Sequence, residues 1–243
     1  MHPVYVHIKK ELSPFYAEEE ASAMAKWISS DILHLSTLEL YTGKDMNFST
    51  KEWEELEDIL RRLKQREPLQ YILQEASFCG MSFHVEQGVL IPRPETEELV
   101  EWIVSDYREA GQVRILDIGT GSGCIPVSLA QLLPEAQVSS CDVSAEALRI
   151  AATNVKRYGD KVTLFCADIL KEELPECQVD VLVSNPPYIT ESERTDMEAN
   201  VLDWEPELAL FVPDSDPLRF YRRIARKGLD WLSEGGALYF EIN

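Results

Sequence analysis

The chain has 243 residues, 45% of them hydrophobic, so it can bury one sizeable core and leave room for a smaller domain. Its formal net charge is −20, with 43 acidic residues against 23 basic ones. A protein that binds duplex nucleic acid needs a basic face to displace counterions from phosphate, so the composition disfavours nucleic acid as a direct partner. Acidity that serves solubility alone is the alternative interpretation.

The cysteine content and the lack of long apolar stretches indicate the compartment. The five cysteines are odd in number and form no Cys-x-x-Cys pair, which favours a reducing compartment and argues against a structural metal. No stretch approaches 18 apolar residues, and the first residues lack the basic and apolar regions of a signal peptide. We therefore expect a cytoplasmic protein with no membrane partner and no metal.

The N-terminal third, from about residue 14 to residue 75, is predicted to be helical. Between residues 18 and 40, apolar side chains recur at helical spacing. Ser49-Thr50-Lys51-Glu52 has the pattern of a capping box, in which the serine accepts from the backbone and the glutamate reaches back. It begins a helix whose extension Pro68 limits. The segment contains no motif that carries chemistry, which favours a helical domain that packs on or recognises a partner.

The pattern changes after residue 76. Residues 77–91 form short strand-like pieces, and the prolines that follow hold an extended turn before a helix. Apolar strands then alternate with helices, and this alternation predicts an α/β fold with a mostly parallel sheet covered on both faces. The predicted strands are residues 113–118, 137–142, 162–167, 179–184 and 237–242.

A glycine-rich loop follows the first of these strands, in the stretch Asp117-Ile118-Gly119-Thr120-Gly121-Ser122-Gly123. Glycine lets the backbone approach a ligand closely. The spacing G-x-G-x-G is one residue short of the dinucleotide fingerprint G-x-G-x-x-G. The charge of Asp117 would repel a pyrophosphate but could attract the ammonium of a methionine moiety. A nucleotide-like ligand that carries an amino acid is therefore predicted.

Two further carboxylates end strands of the predicted sheet. Asp142 ends the second strand, where it can accept hydrogen bonds from ribose hydroxyls. Asp168 follows the third strand, near the place where an adenine amino group would need an acceptor. A capping aspartate is the alternative interpretation of Asp168.

The turn Asn185-Pro186-Pro187-Tyr188 directly follows the fourth strand, at the edge where ligands bind in open α/β sheets. The prolines stiffen the turn and lack backbone N–H groups, which leaves carbonyls free to accept. The Asn185 side-chain oxygen and the Pro186 carbonyl could receive both hydrogens of a substrate –NH2 group, and Tyr188 offers a flat face for stacking. We therefore predict a planar amide or amino nitrogen as the target, with Asn185 as the catalytic residue.

Three motifs together resemble one family. The turn after the fourth strand is similar to that of the amino-methyltransferases, which include adenine-methylating and glutamine-methylating enzymes. Two more stretches narrow the resemblance to the PrmC/HemK family, the release factor glutamine methyltransferases. They are Glu67-Pro68-Leu69-Gln70-Tyr71-Ile72 and Ile91-Pro92-Arg93-Pro94-Glu95-Thr96-Glu97.

The resemblance implies a class I S-adenosylmethionine-dependent methyltransferase with a Rossmann-like sheet. Residues 1–75 would be a helical, substrate-recognition domain, residues 76–91 a β-hairpin connector and residues 92–243 the methyltransferase domain. The implied substrate is the glutamine of the Gly-Gly-Gln motif of peptide chain release factors, and the implied role is in translation termination. By the family's pattern the cofactor contacts are Gly119, Thr120, Gly121, Ser122, Gly123, Asp142 and Asn185, and the substrate contacts are Asn185, Pro186, Pro187 and Tyr188.

Two features depart from the family's pattern. Family members place an aromatic residue at the adenine directly after the Asp168 position, whereas Ile169 stands here as the candidate contact. The sequence also stops at Asn243, where the family continues through a helix and two strands. We therefore expect a C-terminally truncated domain whose last strand is an exposed sheet edge, prone to association.

Two other functions remain open from the sequence. One is an adenine-amino methyltransferase that acts on nucleic acid, which the acidity disfavours. The other is a truncated, non-catalytic module that binds a release factor without turnover. A Ser/His/Asp hydrolase is not indicated, because the four histidines lie outside the predicted sheet.

Overall fold

Short-range side-chain contacts fix the helix starts in the N-terminal part of the chain. The computed structural model describes residues 1–43, 48–171 and 178–242, which divide into two compact units, Met1–Ile72 and Leu73–Asn243. In the first unit α2 continues into a single turn of π-helix at Ile28–Ile32. Its helices are α1 (Pro3–Leu12), α2 (Glu18–Trp27), α3 (Thr37–Thr42), α4 (Thr50–Leu63) and α5 (Leu69–Leu73), the last of which reaches the second unit.

The predicted capping box is confirmed at the start of α4. The Ser49 hydroxyl accepts from the Glu52 backbone N–H at 3.3 Å, and the Glu52 carboxylate accepts from the Ser49 N–H at 2.7 Å. Ser36 and Glu39 form the same pair at the start of α3. The segment from residue 18 to 40 is helical as predicted, but it is divided, because the chain leaves the helix after the π-turn and a new helix begins after Ser36.

Helix α1 lies before the segment predicted to be helical. Pro3 occupies its first turn, where a missing N–H costs nothing, and the His2 Nδ1 accepts from the Val4 N–H at 3.2 Å. Val4, Ile8 and Leu12 are its buried residues. Their spacing of four residues is the signal from which this helix could have been predicted.

The second unit begins with the predicted hairpin and continues as an α/β sheet. Strands β1 (Glu75–Phe78) and β2 (Met81–His84) pair antiparallel. A short 3-10 helix of six residues lies at Glu191–Asp196. The remaining elements are α6 (Pro94–Tyr107), β3 (Arg114–Ile118), α7 (Cys124–Leu132), β4 (Gln137–Asp142), α8 (Ala145–Arg157), β5 (Val162–Cys166), β6 (Val179–Ser184), β7 (Ile189–Thr190), α9 (Ala199–Trp204), α10 (Glu207–Leu210), β8 (Phe211–Val212), α11 (Arg219–Trp231) and β9 (Leu232–Phe240).

The central sheet has five strands in the order β5-β4-β3-β6-β9, and every neighbouring pair is parallel. Strands β7 and β8 form a separate parallel pair. The predicted α/β class with a mostly parallel sheet is confirmed. The order reverses between β3 and β6, and at such a switch point the loops after the two strands diverge and open a crevice.

Residues of β3 and β6 alternate between two cores, as a strand period of two requires. Ile115 and Val181 pack with α6 and α7 on one face. Leu116 and Leu182 pack with residues of α11 on the other. Helices therefore hold both faces of the sheet, and the strand ends are fixed relative to one another.

The last strand differs most from its predicted bounds. It was expected at residues 237–242 but runs from Leu232 to Phe240. Its pairing with β6 is irregular, because Val179 lies opposite Leu232 and Val181 lies opposite Ala237. The consecutive glycines at positions 235 and 236 in this irregular stretch are typical of a turn. The strand was therefore predicted to begin after them rather than before them. Among the helices of the described residues, none is long and apolar enough to cross a lipid bilayer.

Gly123 should be required for packing as well as for its backbone conformation. It has φ +83°, and a Cβ there would lie 3.2 Å from the Cβ and 3.3 Å from the Cα of Ala151 in α8. Gly159 has a similar φ of +93° with no atom within 4 Å of such a Cβ, so it is the matched control. Gly123→Ala should destabilise the unit by about 1–3 kcal/mol in urea unfolding, and by clearly more than Gly159→Ala. Equal losses for the two variants would contradict the packing argument.

Candidate functional site

A cleft opens at the switch point of the sheet, where the glycine-rich loop after β3 and the proline turn after β6 face each other. Ten of the predicted site residues line it: Gly119, Thr120, Gly121, Ser122, Asp142, Asp168, Ile169, Asn185, Pro186 and Pro187. Asp117, Gly123 and Tyr188 are not among its lining residues. The structure thus brings together residues from the ends of four different strands.

The glycine-rich loop is fastened to the neighbouring strand β4. The backbone N–H groups of Gly119 and Thr120 donate to the Cys141 carbonyl at 2.9 and 3.1 Å. The Gly121 N–H donates to the Asp142 carboxylate at 3.0 Å. Gly121 has φ +52° and would have no atom within 4 Å of an added Cβ, so its requirement for glycine is conformational. The loop is held rigidly at the wall of the cleft.

Asp142 connects this loop to the next helix. One oxygen accepts from Gly121, and the other accepts from the Ser144 backbone N–H at 2.9 Å, at the start of α8. Burial raises the pKa of Asp142, and the backbone N–H groups of Gly121 and Ser144 oppose that rise. Each carboxylate oxygen has a further lone pair, so Asp142 can accept from a ligand without giving up these contacts.

Two buried hydroxyls in the same wall are not satisfied by the protein. Within the described residues, Thr120 Oγ1 and Ser122 Oγ make no hydrogen bond of normal length and angle, although Thr120 lies close enough to Asp117, and Ser122 to Cys124, to affect the pKa of those groups. Leaving a buried hydroxyl unpaired costs about 1–3 kcal/mol, which polar groups of a ligand would relieve. The loop therefore fits a ligand with a charged or hydrogen-bonding end.

Asp117 lies beneath the loop, with none of its side chain exposed. One of its oxygens accepts from the Ser140 hydroxyl at 2.5 Å. Burial raises the pKa of Asp117 to about 7, although the bond from Ser140 opposes the rise. The predicted direct contact with an ammonium is not favoured by this position, because the carboxylate is enclosed. Sequence could not distinguish a carboxylate beneath the loop from one that faces the cleft.

The third strand contributes a carboxylate and an apolar surface. Asp168 accepts from the Leu170 backbone N–H at 2.9 Å and from Lys171 at 3.1 Å, so it caps this turn and also lines the cleft. Burial would raise its pKa, but these hydrogen bonds hold the pKa below its usual value. The next residue, Ile169, lines the cleft together with Phe220 of α11. No aromatic residue follows Asp168, but Phe220, in a helix that begins 50 residues after Ile169, supplies an aromatic side chain to the same cleft. No pattern in the sequence predicted that Phe220 would line the cleft.

The side chain of Asn185 has a defined orientation. Its Nδ2 donates to Thr96 Oγ1 at 3.2 Å, and the Thr96 hydroxyl donates to a Glu241 oxygen at 2.5 Å. The Asn185 Oδ1 is therefore available as an acceptor. Tyr188, further along the turn, is half-buried, and burial raises the pKa of its hydroxyl.

An ion pair with a buried carboxylate connects two segments that line the cleft. Arg93 donates to Glu205 at 2.5 Å, and the second Glu205 oxygen accepts from the Ile91 backbone N–H at 3.2 Å. Glu205 is almost fully buried and immediately precedes Pro206, which lines the cleft. Arg93 lies in the motif that begins at Ile91, which by itself predicts no role for the arginine. No pattern in the sequence predicted a role for Glu205.

Two protein families match this sequence. The family described as PrmC N-terminal domain matches residues 5–73, and the family described as Methyltransferase small domain matches residues 96–203.

Relatives match nearly the whole chain. A protein of Bacteroides thetaiotaomicron named release factor glutamine methyltransferase is 51% identical over 244 residues, which cover 100% of this chain and 87% of the relative. A protein of Flavobacterium psychrophilum with the same name is 42% identical over 235 residues, covering 96% and 82%. The solved structure of TrmN from Thermus thermophilus is 21% identical, with a TM-score of 0.43 over 58% of this chain and 36% of that one.

The enclosed position of Asp117 should make stability depend on pH. Its pKa is raised in the folded state to about 7 from an ordinary 3.8, so the folded protein binds the proton more tightly than the unfolded chain. The contribution of this proton to the free energy of unfolding is fully present below about pH 4. It is lost as the pH rises toward 7, by up to roughly 1 kcal/mol per pH unit.

Asp117→Asn should flatten this part of the curve of unfolding free energy against pH. Asp160→Asn, which removes the same charge from an exposed turn, is the control and should leave the slope unchanged. Wild type and Asp117→Asn with the same slope between pH 4 and 7 would show that Asp117 is ionised throughout.

Proposed function

The chain belongs to the family of release factor glutamine methyltransferases, and we propose that it transfers a methyl group from S-adenosylmethionine to the side-chain amide nitrogen of a release factor glutamine. The family predicted from the sequence is confirmed by its relatives. One observation carries the proposal. The Asn185 turn and the glycine-rich loop line one cleft at the switch point, so an amide acceptor lies beside a loop suited to the methyl donor.

The cleft residues fit the methyl donor. The unpartnered hydroxyls of Thr120 and Ser122 suit the methionine end, and the strand-end carboxylate of Asp142 suits the ribose hydroxyls. Asp168 offers the adenine amino group an acceptor, and Ile169 and Phe220 offer its ring apolar surface. When bound, S-adenosylmethionine supplies an electrophilic methyl group on a positively charged sulfur.

The proline turn is suited to make an amide nitrogen reactive. An amide nitrogen is a poor nucleophile, because its lone pair is delocalised into the carbonyl. Asn185 Oδ1 and the Pro186 carbonyl would accept both N–H groups of the substrate glutamine, which returns electron density to nitrogen and orients the lone pair. The turn cannot offer competing backbone N–H donors at positions 186 and 187, since both residues are prolines.

Positioning and charge stabilisation supply the rest of the catalysis. The reacting atoms must approach to about 3–3.5 Å, which a rigid turn favours. As the nitrogen–carbon bond forms, the carbon–sulfur bond of a bound S-adenosylmethionine would break to leave S-adenosylhomocysteine, and positive charge would develop on the nitrogen. Acceptors fixed in advance therefore stabilise the transition state more than the ground state. The methylated nitrogen would then release one proton to water. Within the described residues no histidine lines the cleft, so these residues hold the amide rather than deprotonate it through an imidazole.

The remaining parts of the chain receive roles as part of this proposal. Residues 1–75 recognise the release factor, and residues 92–243 carry out methyl transfer. Residues 76–91 connect these two domains. The target glutamine is that of a Gly-Gly-Gln loop, whose planar amide can stack on Tyr188. The net charge of −20 favours a protein loop over a phosphate backbone. Among the described residues, the cysteines at positions 79, 124, 141 and 166 form no disulfide bond, and we propose the cytoplasm as the compartment.

The substrate class is tested by offering three acceptors in parallel. Release factor, duplex DNA and free glutamine are each incubated with methyl-labelled S-adenosylmethionine at physiological salt. Label should appear in the release factor alone. Mass spectrometry of its peptides should locate the label on the peptide that contains the Gly-Gly-Gln glutamine. A release factor in which that glutamine is replaced should stay unlabelled. Label in DNA and none in the release factor would overturn the proposal.

Asn185→Ala should lower turnover on release factor by about 10²–10³, the usual cost of one preorganised hydrogen-bond partner. Cofactor affinity should fall much less, because most of the cleft wall is unchanged. Thr96 keeps its bond to Glu241 in this variant, so the fold should persist. Asn185→Asp still presents an acceptor to the cleft, but it also sets an oxygen against Thr96 and a second carboxylate beside Glu241, so it should retain only part of the activity. Near-normal turnover of Asn185→Ala on saturating release factor would refute the role of Asn185.

A further inference from the structure

The orientation of the Asn185 amide is the feature that the proposed chemistry leaves unexplained. A primary amide has an acceptor oxygen on one side and an NH2 donor on the other, of similar size and shape. With its NH2 group toward the substrate, Asn185 would oppose the substrate N–H groups. Something in the protein must therefore decide which end faces the cleft.

Three elements bring the relevant side chains together. Strand β6 pairs with β9 in a register that places Ser184 opposite Phe240, so the next residues, Asn185 and Glu241, lie side by side. The Glu241 N–H donates to the Ser184 carbonyl at 3.2 Å, which continues this pairing. Thr96, in the first turn of α6, is 3% exposed and contacts both side chains.

The direction of each hydrogen bond follows from the chemistry of the groups. A carboxylate can only accept, so the Thr96 hydroxyl must give its one hydrogen to Glu241. The Thr96 oxygen is then left to accept, and only the NH2 end of Asn185 can donate to it. The reversed amide would place its oxygen against an oxygen that has no hydrogen left to give.

The charge at Glu241 acts in the same sense. Burial and the charge of Glu95 raise the pKa of Glu241, although hydrogen bonds from Thr96 and Asn185 and the charge of Arg93 oppose the rise. A carboxylate in reach of Asn185 attracts the NH2 end and repels the oxygen. Tyr221 fixes the strand end as well, because its hydroxyl donates to the Glu241 carbonyl at 3.0 Å.

We propose that Thr96 and Glu241 are positioning residues that hold the Asn185 amide with its oxygen toward the cleft. This inference rests on the proposed function for its catalytic consequence, but not for the orientation itself. Thr96 and Glu241 need not touch the substrate, and they act on the reaction only through Asn185.

Kinetics on release factor test the catalytic consequence. Thr96→Val removes the hydroxyl at nearly constant volume, and Glu241→Met removes the acceptor of that hydroxyl at similar side-chain length. Each should lower kcat by about 10- to 100-fold, the range expected for a misplaced catalytic group, with little change in KM. Thr96→Ser keeps the hydroxyl and is the matched control, which should retain most of the turnover.

A double-mutant cycle separates positioning from a merely structural role. If Thr96 and Glu241 act through Asn185, then Thr96→Val and Glu241→Met should cost almost nothing further in an Asn185→Ala background. Losses that multiply in the double variants would overturn the proposal, as would a Thr96→Ser variant as slow as Thr96→Val. Melting temperatures and calorimetric affinity for S-adenosylmethionine confirm that each variant is folded.

The orientation can also be measured without turnover. The side-chain amide signal of Asn185 in nitrogen-15 NMR spectra is assigned by its disappearance in Asn185→Ala. Thr96→Val should shift this signal and speed its hydrogen exchange, and Thr96→Ser should not. An identical signal in wild type and Thr96→Val would overturn the proposal. A wild type that fails to methylate release factor would instead defeat the proposed function and leave this readout intact.

Discussion

Between β3 and β6 the connections of the parallel sheet run in opposite directions, and the loops after these two strands therefore diverge. The space between them is the cleft. Cores on both faces of the sheet hold the strands in register, so the two strand ends cannot drift apart without disturbing buried side chains. The glycine-rich loop and the proline turn are thus placed by the packing of the whole unit, together with a hydrogen bond from the Ser184 hydroxyl to the Ile118 carbonyl at 2.6 Å.

Within the cleft, the polarity of hydrogen bonds determines which chemistry is possible. The glycine-rich loop presents buried hydroxyls, and the two prolines of the turn present carbonyls without backbone N–H donors of their own. The Asp142 carboxylate accepts a hydrogen bond from the backbone of the glycine-rich loop and holds that loop in place. The Glu241 carboxylate accepts from the Thr96 hydroxyl and orients it. One wall therefore suits a charged methyl donor, and the opposite wall suits an amide that must donate hydrogen bonds from both of its N–H groups.

Local patterns in the sequence predicted the parts of the site that depend on local structure. The α/β class, the capping box, the glycine-rich loop and the proline turn follow from spacing and residue type within a few positions. Contacts that depend on strand register or helix packing did not. Phe220 reaches the cleft from α11, Glu205 pairs with Arg93 across 112 positions, and Glu241 meets Asn185 only because of an irregular β9 pairing. The burial of Asp117 likewise depends on which face of the loop the neighbouring strand covers.

The most direct test of the account is a crystal structure of the chain with S-adenosylhomocysteine and a release factor or Gly-Gly-Gln peptide. The account predicts that the glutamine amide lies in the proline turn. Its nitrogen should be about 2.9 Å from both Asn185 Oδ1 and the Pro186 carbonyl, and Asn185 Nδ2 should still donate to Thr96. A glutamine bound with its carbonyl oxygen facing Asn185 Nδ2, or bound away from the turn, would contradict it.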